Sequence, residues 1–140
     1  MLLSALGYAE KGWRVIPVKR RAPGNKKPPY NRGGLTEATT DESVIRAWWE
    51  QWPDANVAVL LEDLFLVDID MKPGVDGLAS LARYESEHGK LITPCRQASG
   101  GGGRHFFFRM PDRPIKHSGD IPGYPGMEIW HGQHYCVVAP

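Results

Sequence analysis

The strongest constraint on the fold of this chain is an apolar run that carries two acidic residues. In the stretch FLVDIDMKPG, residues 65–74, Asp68 and Asp70 alternate with Val67 and Ile69. In an extended strand this alternation puts both carboxylates on one face of the sheet. Burial of two like charges side by side in an apolar strand costs free energy unless a positive group lies between them. The run therefore predicts a strand whose polar face meets a cation.

Composition limits the class of protein but does not indicate a function. The chain has 140 residues, 41% of them hydrophobic and 24% charged, which is typical of one soluble domain with a modest core. Its formal net charge of +1 indicates neither a nucleic acid nor a membrane partner. Basic residues do crowd one early segment, namely Lys19, Arg20, Arg21, Lys26, Lys27 and Arg32.

Nothing in the sequence indicates export or a membrane. Cys95 and Cys136 have no metal-type spacing and suggest no disulfide framework. The N-terminal segment LLSALGYAEKG lacks the features of a signal peptide. No apolar run approaches the roughly 20 residues of a membrane span. We therefore expect a reducing, cytosolic (cytoplasmic) setting.

Hydrophobic periodicity and turn residues predict an α+β fold. Three segments have helical periodicity, at residues 2–11, 41–52 and 78–89. Thr39 and Glu42 have capping-box spacing at the start of the second helix. Extended segments are predicted at residues 13–18, 56–61, 64–70, 91–98, 104–110, 127–131 and 134–139. This order predicts a mixed sheet covered by helices.

Two pairs of these extended segments are predicted to form hairpins. The first pair joins residues 56–61 to 64–70 around a polar turn at Glu62 and Asp63. The second pair joins residues 127–131 to 134–139 around Gly132 and Gln133.

The two aspartates suit a hard divalent cation. Their Cα atoms would lie about 6.5 to 7 Å apart along a strand, so both carboxylates can hold one ion. Carboxylate oxygens favour Mg²⁺ or Mn²⁺. A polar strand end beside the turn at Lys72 is the alternative interpretation of this D-x-D pattern.

Glu128 is a third acid in an apolar segment, between Met127 and Ile129. If its strand lies beside residues 64–70, three carboxylates converge. Such a cluster is what two-metal nucleotidyl transfer requires, with two divalent ions sharing carboxylate ligands. A solvated residue on an edge strand is the alternative interpretation of Glu128.

A glycine run is the next feature with possible chemistry. In ASGGGGRHFFFR, residues 98–109, four consecutive glycines allow the backbone to approach a ligand and to point N–H groups at an anion. The run is neither a Walker loop nor a dinucleotide-binding motif, because His105 stands where that motif needs its last glycine. Arg104 and His105 could donate to phosphate at its end. A flexible surface turn is the alternative interpretation.

Six segments in order resemble one known family. They are ALGYAEKGWRVIPV, KKPP, ATTDESVIRAWWEQWPDANVAV, LVDID, SGGGGRHFFFR, and GMEIW with YCVVAP. Together they resemble the bifunctional primase/polymerase (prim-pol) N-terminal domain of phage and plasmid replication proteins, in the archaeo-eukaryotic primase superfamily. The resemblance implies a small palm on an RRM-like sheet joined to an N-terminal α/β unit. It also implies template-directed synthesis of primers or DNA from NTPs or dNTPs.

The resemblance also implies a role for individual residues. The metal-binding acids of the family correspond to Asp68 and Asp70, with Glu128 as the third acid, and they imply two Mg²⁺ or Mn²⁺ ions. The motif that grips the incoming triphosphate corresponds to Ser99, Gly103 and His105, with Arg104 as a helper. Lys27 stands at the family's Lys-Pro position, for a nucleotide or template contact.

This chain departs from the family pattern in three places. Glu128 replaces a frequent Asp, and Trp130 stands where an Arg is common. Domains of this family usually continue past the equivalent of residues 137–140, often into a helicase. We therefore expect residues 1–140 to be the catalytic domain, shortened at its C-terminal end. The partners implied are a single-stranded DNA template and a helicase domain or other replication protein.

Two other functions were weighed against the primase/polymerase. A D-x-D pattern also holds manganese and a nucleotide-sugar diphosphate in glycosyltransferases, but that function leaves Glu128 and the glycine run without a role. A non-catalytic module that binds single-stranded nucleic acid would use the basic segment and the aromatic strand, and its binding would be metal-independent and salt-sensitive.

Overall fold

The computed structural model describes residues 1–20, 27–113 and 115–140. The predicted α+β class is confirmed, since the described residues form three α-helices, a six-stranded sheet and a two-stranded sheet. The strand pairs whose register is defined are antiparallel, whereas the sequence predicted a sheet of mixed direction. The chain forms two compact units, one of residues 1–60 with 133–140 and the other of residues 61–132.

The first unit contains two helices, α1 (Leu2–Glu10) and α2 (Glu42–Gln51), and a 3₁₀ turn at Gly34–Glu37. Strand β1 (Val15–Val18) is fully buried and pairs with residues 56–59 of strand β2 (Asn56–Ile69). Its core consists of small and branched apolar side chains, Ile16, Val18, Ala38, Ala58 and Leu60. The last residues of strand β8 (Met127–Val137) also belong to this unit.

The second unit holds the remainder of β2 and all of the candidate acids. After β2 come a short hairpin, β3 (Met71–Lys72) with β4 (Val75–Asp76), and helix α3 (Gly77–His88). The other strands are β5 (Arg96–Ala98), β6 (Arg104–Arg109) and β7 (Gly119–Asp120). The sheet order in this unit is β5-β6-β2-β8-β7.

One face of this sheet is covered by α3. The core of the second unit consists of Val67, Ile69, Leu81, Phe106 and Met127. Because side chains alternate along a strand, the residues between these apolar positions project from the opposite face. Asp68 lies between Val67 and Ile69, His105 precedes Phe106, and Glu128 follows Met127, so these three residues project from the opposite face. The core therefore fixes which face carries the acids.

Both predicted hairpins are wrong. Residues 56–69 form one continuous strand, and so do residues 127–137. Glu62 and Asp63 are exposed but remain extended, because the two ends of β2 pair with different strands, β1 and β6. Gly132 has a φ of 69° and still lies inside β8 rather than in a turn.

The start of α2 also differs from the prediction. Asp41, not Thr39, is the N-cap, and its carboxylate accepts hydrogen bonds from the amides of Ser43 and Val44. Thr39 instead accepts a hydrogen bond from the Asp41 amide. The hydrogen bond from the Ser43 hydroxyl, with those from the two amides, lowers the pKa of Asp41.

The remaining element predictions are confirmed to within a few residues, except that β5 covers only the last part of residues 91–98. None of the helices in the described part of the chain has the length and apolar character that a bilayer crossing requires. Of the basic segment, Arg21 and Lys26 lie outside the described residues.

Candidate active site

Three carboxylates converge at the second unit's sheet, on the face opposite α3. Asp68 lies near the end of β2, Asp70 directly follows that strand, and Glu128 is the second residue of β8. One oxygen from each lies within 4.8 Å of the others, and all three residues are half-buried. No other group of three potential metal ligands occurs in the parts of the chain that the structure describes.

Two glycines hold the backbone of Asp70 in place. Its amide donates to the Gly126 carbonyl at 2.8 Å, and its own carbonyl accepts from the Gly77 amide at 3.1 Å. A Cβ atom on Gly77 would lie 2.4 Å from the Asp70 oxygen, and one on Gly126 would lie 2.9 Å from the same atom. Only glycine allows this approach, because those separations are below ordinary contact distance. The second acid is thus positioned by backbone contacts from both sides.

Lys72 contacts two of the three acids. Its Nζ lies 2.5 Å from Asp70 Oδ2 and 3.5 Å from Glu128 Oε1. The hydrogen bond to Asp70 raises the pKa of the Lys72 ammonium above its ordinary value. The negative charges of Asp70 and Glu128 raise this pKa further, whereas desolvation lowers it by a smaller amount than the total increase. The side chain is 55% exposed, so the ammonium reaches the acids from the solvent side.

Glu128 is oriented by a neighbour on its own strand. The Trp130 indole N–H donates to Glu128 Oε2 at 2.9 Å, while Oε1 faces Lys72. Across the strand pair, Asp120 of β7 stands directly opposite Glu128. Trp130 thus orients the third acid.

A row of side chains crosses the sheet from β5 to β2. Gln97, His105 and Asp68 are successive partners in register. The Gln97 amide nitrogen lies 2.9 Å from His105 Nδ1, and His105 Nε2 lies 3.3 Å from Asp68 Oδ1. When the amide donates to Nδ1, a neutral imidazole carries its proton on Nε2, which faces the acid. Gln97 therefore sets the orientation of His105 toward the acid cluster.

The glycine run forms a tight loop beside the same strand end. The Ser99 amide donates to the Gly103 carbonyl at 3.0 Å, and the Gly102 amide donates to Ser99 at 3.1 Å. A Cβ atom on Gly103 would lie only 1.8 Å from the Ile69 carbonyl oxygen and 3.0 Å from Ser99 Oγ. The loop is thus pressed against the backbone between Asp68 and Asp70, which requires glycine at position 103.

Arg104 and Lys27 are not among the residues that the second unit brings to the acid face. Arg104 precedes His105 on β6 and pairs with Ile69, so by alternation its exposed side chain projects from the face opposite the acids. Lys27 belongs to the first unit, where its carbonyl accepts a hydrogen bond from Tyr135 at 2.9 Å.

The acid cluster fits a hard divalent cation. Asp68 Oδ1 is buried and accepts no hydrogen bond, although His105 Nε2 is 3.3 Å away. A buried carboxylate oxygen that accepts no hydrogen bond is unusual, and a bound cation would satisfy it. Oxygens that share one Mg²⁺ lie at most about 4.2 Å apart, so the cluster needs to contract by less than about 1 Å. Asp68, Asp70 and Glu128 would be the ligands.

The sequence did not reveal three of the residues that shape this site. Lys72 has a weak signal, a single basic residue two positions after the D-x-D pattern. Gln97 and Trp130 have none, because an amide in a short strand and an indole two residues from an acid are common features. Their roles depend on which strands are neighbours.

Comparison with known proteins was made at the level of families and of curated sequences. No curated protein matches the chain significantly. A family profile described as "Bifunctional DNA primase/polymerase, N-terminal" matches residues 5–140, which include every residue of the acid cluster and the glycine loop. Because this match covers almost the entire sequence, the chain belongs to the Prim-Pol family of bifunctional DNA primases/polymerases.

Proposed function

We propose that residues 1–140 form a catalytic domain that transfers nucleotides from NTPs or dNTPs to a primer or DNA end on a single-stranded template, in phage- or plasmid-type replication. Family membership supports primase/polymerase nucleotidyl transfer in general, and it implies DNA and nucleotide substrates. The observation that carries the specific proposal is the cluster of Asp68, Asp70 and Glu128, in which a buried oxygen of Asp68 accepts no hydrogen bond.

The three acids would hold two Mg²⁺ or Mn²⁺ ions. When bound, such ions lower the pKa of the attacking 3′-hydroxyl and neutralise the leaving pyrophosphate. The task of the protein is to fix the carboxylates before the ions arrive. Asp70 is fixed by the backbone of Gly77 and Gly126, and Glu128 by the Trp130 indole. This preorganisation is the chain's contribution to rate.

The triphosphate would lie between the acids and the glycine loop. Its position follows from where donors are available, namely the loop that begins at Ser99 and the imidazole of His105. Because His105 Nε2 is beside Asp68, a triphosphate held at Asp68 is within reach of this N–H donor. Gly103 brings the loop close to the strand end that carries the acids. Arg104, on the opposite face, would assist only if the β6 end rearranges.

Two features of the structure favour nucleotidyl transfer over the other functions considered. A glycosyltransferase gives no role to Glu128, which here joins the two aspartates. A purely structural role for the acids, as in a non-catalytic binding module, does not account for three converging carboxylates, one of which has a buried oxygen that accepts no hydrogen bond. A helicase or other replication protein is the proposed partner, and the cytoplasm is the proposed location.

Substitution of Asp70 by Asn tests the proposal. The Asp70→Asn side chain is nearly isosteric but removes one charge from the cluster, so Mn²⁺ affinity and template-dependent incorporation of dNTPs should both fall by at least about 100-fold. Primer synthesis and extension on single-stranded DNA measure incorporation, and calorimetric titration measures dATP binding with and without Mn²⁺. Asp63→Asn, at an exposed position of the same strand, is the matched control.

The control should retain wild-type incorporation. Near-normal turnover in Asp70→Asn would overturn the proposal. Metal-independent binding of single-stranded DNA by the wild type, unchanged in Asp70→Asn and without incorporation, would instead favour the binding module. Selective binding of a UDP-sugar would favour the glycosyltransferase.

A further inference from the structure

Lys72 is fixed above the acid cluster by a small hairpin. It pairs with Val75 in the two-stranded β3–β4 unit, whose turn contains Gly74 with a φ of 79°. The hairpin is anchored at both ends. Its first strand directly follows Asp70, and its last residue, Asp76, caps α3 by accepting a hydrogen bond from the Ala79 amide. The Lys72 backbone therefore has little freedom, while its side chain reaches across to the acids.

The ammonium occupies a position that a cation would take. Nζ lies 2.5 Å from one oxygen of Asp70 and 3.5 Å from one of Glu128, while the ligand oxygens of the cluster lie within 4.8 Å of one another. A divalent ion bound by the same two carboxylates would have to lie about 2.0 to 2.2 Å from their oxygens. The ammonium and the ion would compete for these oxygens, because both are positively charged and both would contact the same two carboxylates.

We propose that Lys72 is the resident counter-ion of the acid cluster, which holds the carboxylates together without metal and must be displaced when a divalent ion binds. This inference rests on the proposed function for the identity of the site, but it concerns a residue outside the ligand set. Lys72 thereby sets the ion concentration at which the site fills.

Partial exposure makes the exchange feasible. The Lys72 side chain is 55% exposed, whereas those of Asp70 and Glu128 are 28% and 17% exposed. The acids therefore stay in place while the ammonium can swing into solvent, where it is fully hydrated. A released ammonium remains tethered at the rim of the site, so it is available to the negative charge of an incoming triphosphate.

The test compares Lys72→Met with wild type by counting bound Mn²⁺ with electron paramagnetic resonance, in the absence of nucleotide. Loss of the competing charge should tighten Mn²⁺ binding by about three- to tenfold, the range for a partly exposed, charge-assisted contact. In EDTA the same variant should melt at a lower temperature than wild type, and Mn²⁺ should raise its melting temperature by more. Lys90→Met, at an exposed position in the same unit, is the matched control and should change neither measurement.

Lys72→Arg provides a second variant that keeps the charge. A guanidinium pairs with carboxylates at least as well as an ammonium, so Mn²⁺ binding should be no tighter than in wild type. Should Lys72→Met fold poorly, Lys72→Gln replaces it as the neutral variant: tighter Mn²⁺ binding by Lys72→Gln than by Lys72→Arg would support the inference, and equal binding by the two would refute it.

The outcomes separate this inference from the proposed function. Wild-type Mn²⁺ binding that Asp70→Asn abolishes but Lys72→Met leaves unchanged would refute the counter-ion role and leave the metal site standing. Absence of Mn²⁺ binding in wild type and in Lys72→Met would refute both. Binding that appears only in Lys72→Met would support the counter-ion role directly.

Discussion

Replacement of Gly103 by Ala tests whether the glycine loop positions the acids. Gly103 is buried, and its Cα faces the Ile69 carbonyl, between the two aspartates. A methyl group there would lie 1.8 Å from the Ile69 oxygen and 2.9 Å from the Ile69 carbonyl carbon. Both neighbours are backbone atoms, so neither can rotate away. Either the loop or the end of β2 has to move.

The size of that movement follows from contact distances. Since real Cβ contacts are essentially never shorter than 3.0 Å, the 1.8 Å separation requires a shift of at least 1.2 Å, the difference between the two values. Overpacking of a buried position typically costs about 1–3 kcal/mol. For a chain of this size each kcal/mol lowers the melting temperature by about 4 °C, so we expect a decrease of about 4–12 °C. A displacement of about 1 Å at a catalytic site costs about 100-fold in rate.

Gly101→Ala is the matched control in the same loop. A Cβ atom at Gly101 meets nothing within 4 Å, and the residue is exposed. Its substitution should therefore leave stability unchanged or raise it by about 0.4–1 kcal/mol, because alanine restricts the unfolded chain. Thermal unfolding of both variants, with Mn²⁺ binding and primer extension measured at a temperature where both are folded, gives the comparison. If Gly103→Ala is as stable as Gly101→Ala and binds Mn²⁺ like wild type, the loop does not position the acids.

Two further predictions concern Gln97, which orients His105, and Asp41, which caps α2. Gln97→Leu removes the amide that faces His105 Nδ1, so the fraction of His105 imidazole protonated at Nε2 should fall relative to wild type. Long-range nitrogen–proton NMR spectra measure this fraction. An unchanged tautomer ratio would show that Gln97 does not set the tautomer of His105. Asp41→Ala removes the cap of α2 and should lower the melting temperature at pH 6. Because folding lowers the pKa of Asp41 from 3.8, the contribution of Asp41 to stability is present above that value and is lost as pH falls through the folded-state pKa. The difference in melting temperature between Asp41→Ala and wild type should therefore be smaller at pH 3 than at pH 6. A difference that stays constant with pH would contradict this account.

Local features of the sequence were sufficient to predict much of the candidate site. Alternation of acidic and apolar residues in LFLVDID and in MEIW predicted that the acids project from one face of an apolar strand. This prediction needs no tertiary structure, because the two-residue period of a strand depends only on backbone geometry. The three helices and most strand positions followed from periodicity and from glycine stops. The order of six motifs indicated the family, and the family match over residues 5–140 confirms it.

Strand continuity could not be predicted, because it depends on partners distant in sequence. Glu62 and Asp63 resemble a turn, yet each end of β2 gains hydrogen bonds from a different neighbouring strand, and extended backbone through the acids satisfies both. Gly132 likewise remains within β8. Local turn propensity is worth little against a ladder of backbone hydrogen bonds.

The tertiary structure alone decided how the acids are held. Gly77 and Gly126 look like ordinary turn glycines in the sequence, and the motif containing Gly103 indicated a ligand contact rather than a backbone contact. Each of the three approaches the end of β2 too closely for a side chain. Lys72 contacts both Asp70 and Glu128 because its hairpin directly follows Asp70 and β8 lies beside β2. Trp130 contacts Glu128 within β8, and this pair joins the aspartates only through the pairing of β8 with β2. Residue type and spacing thus determined which groups can carry the chemistry. Strand order and backbone approach determined their distances, because these depend on contacts between segments far apart in the chain.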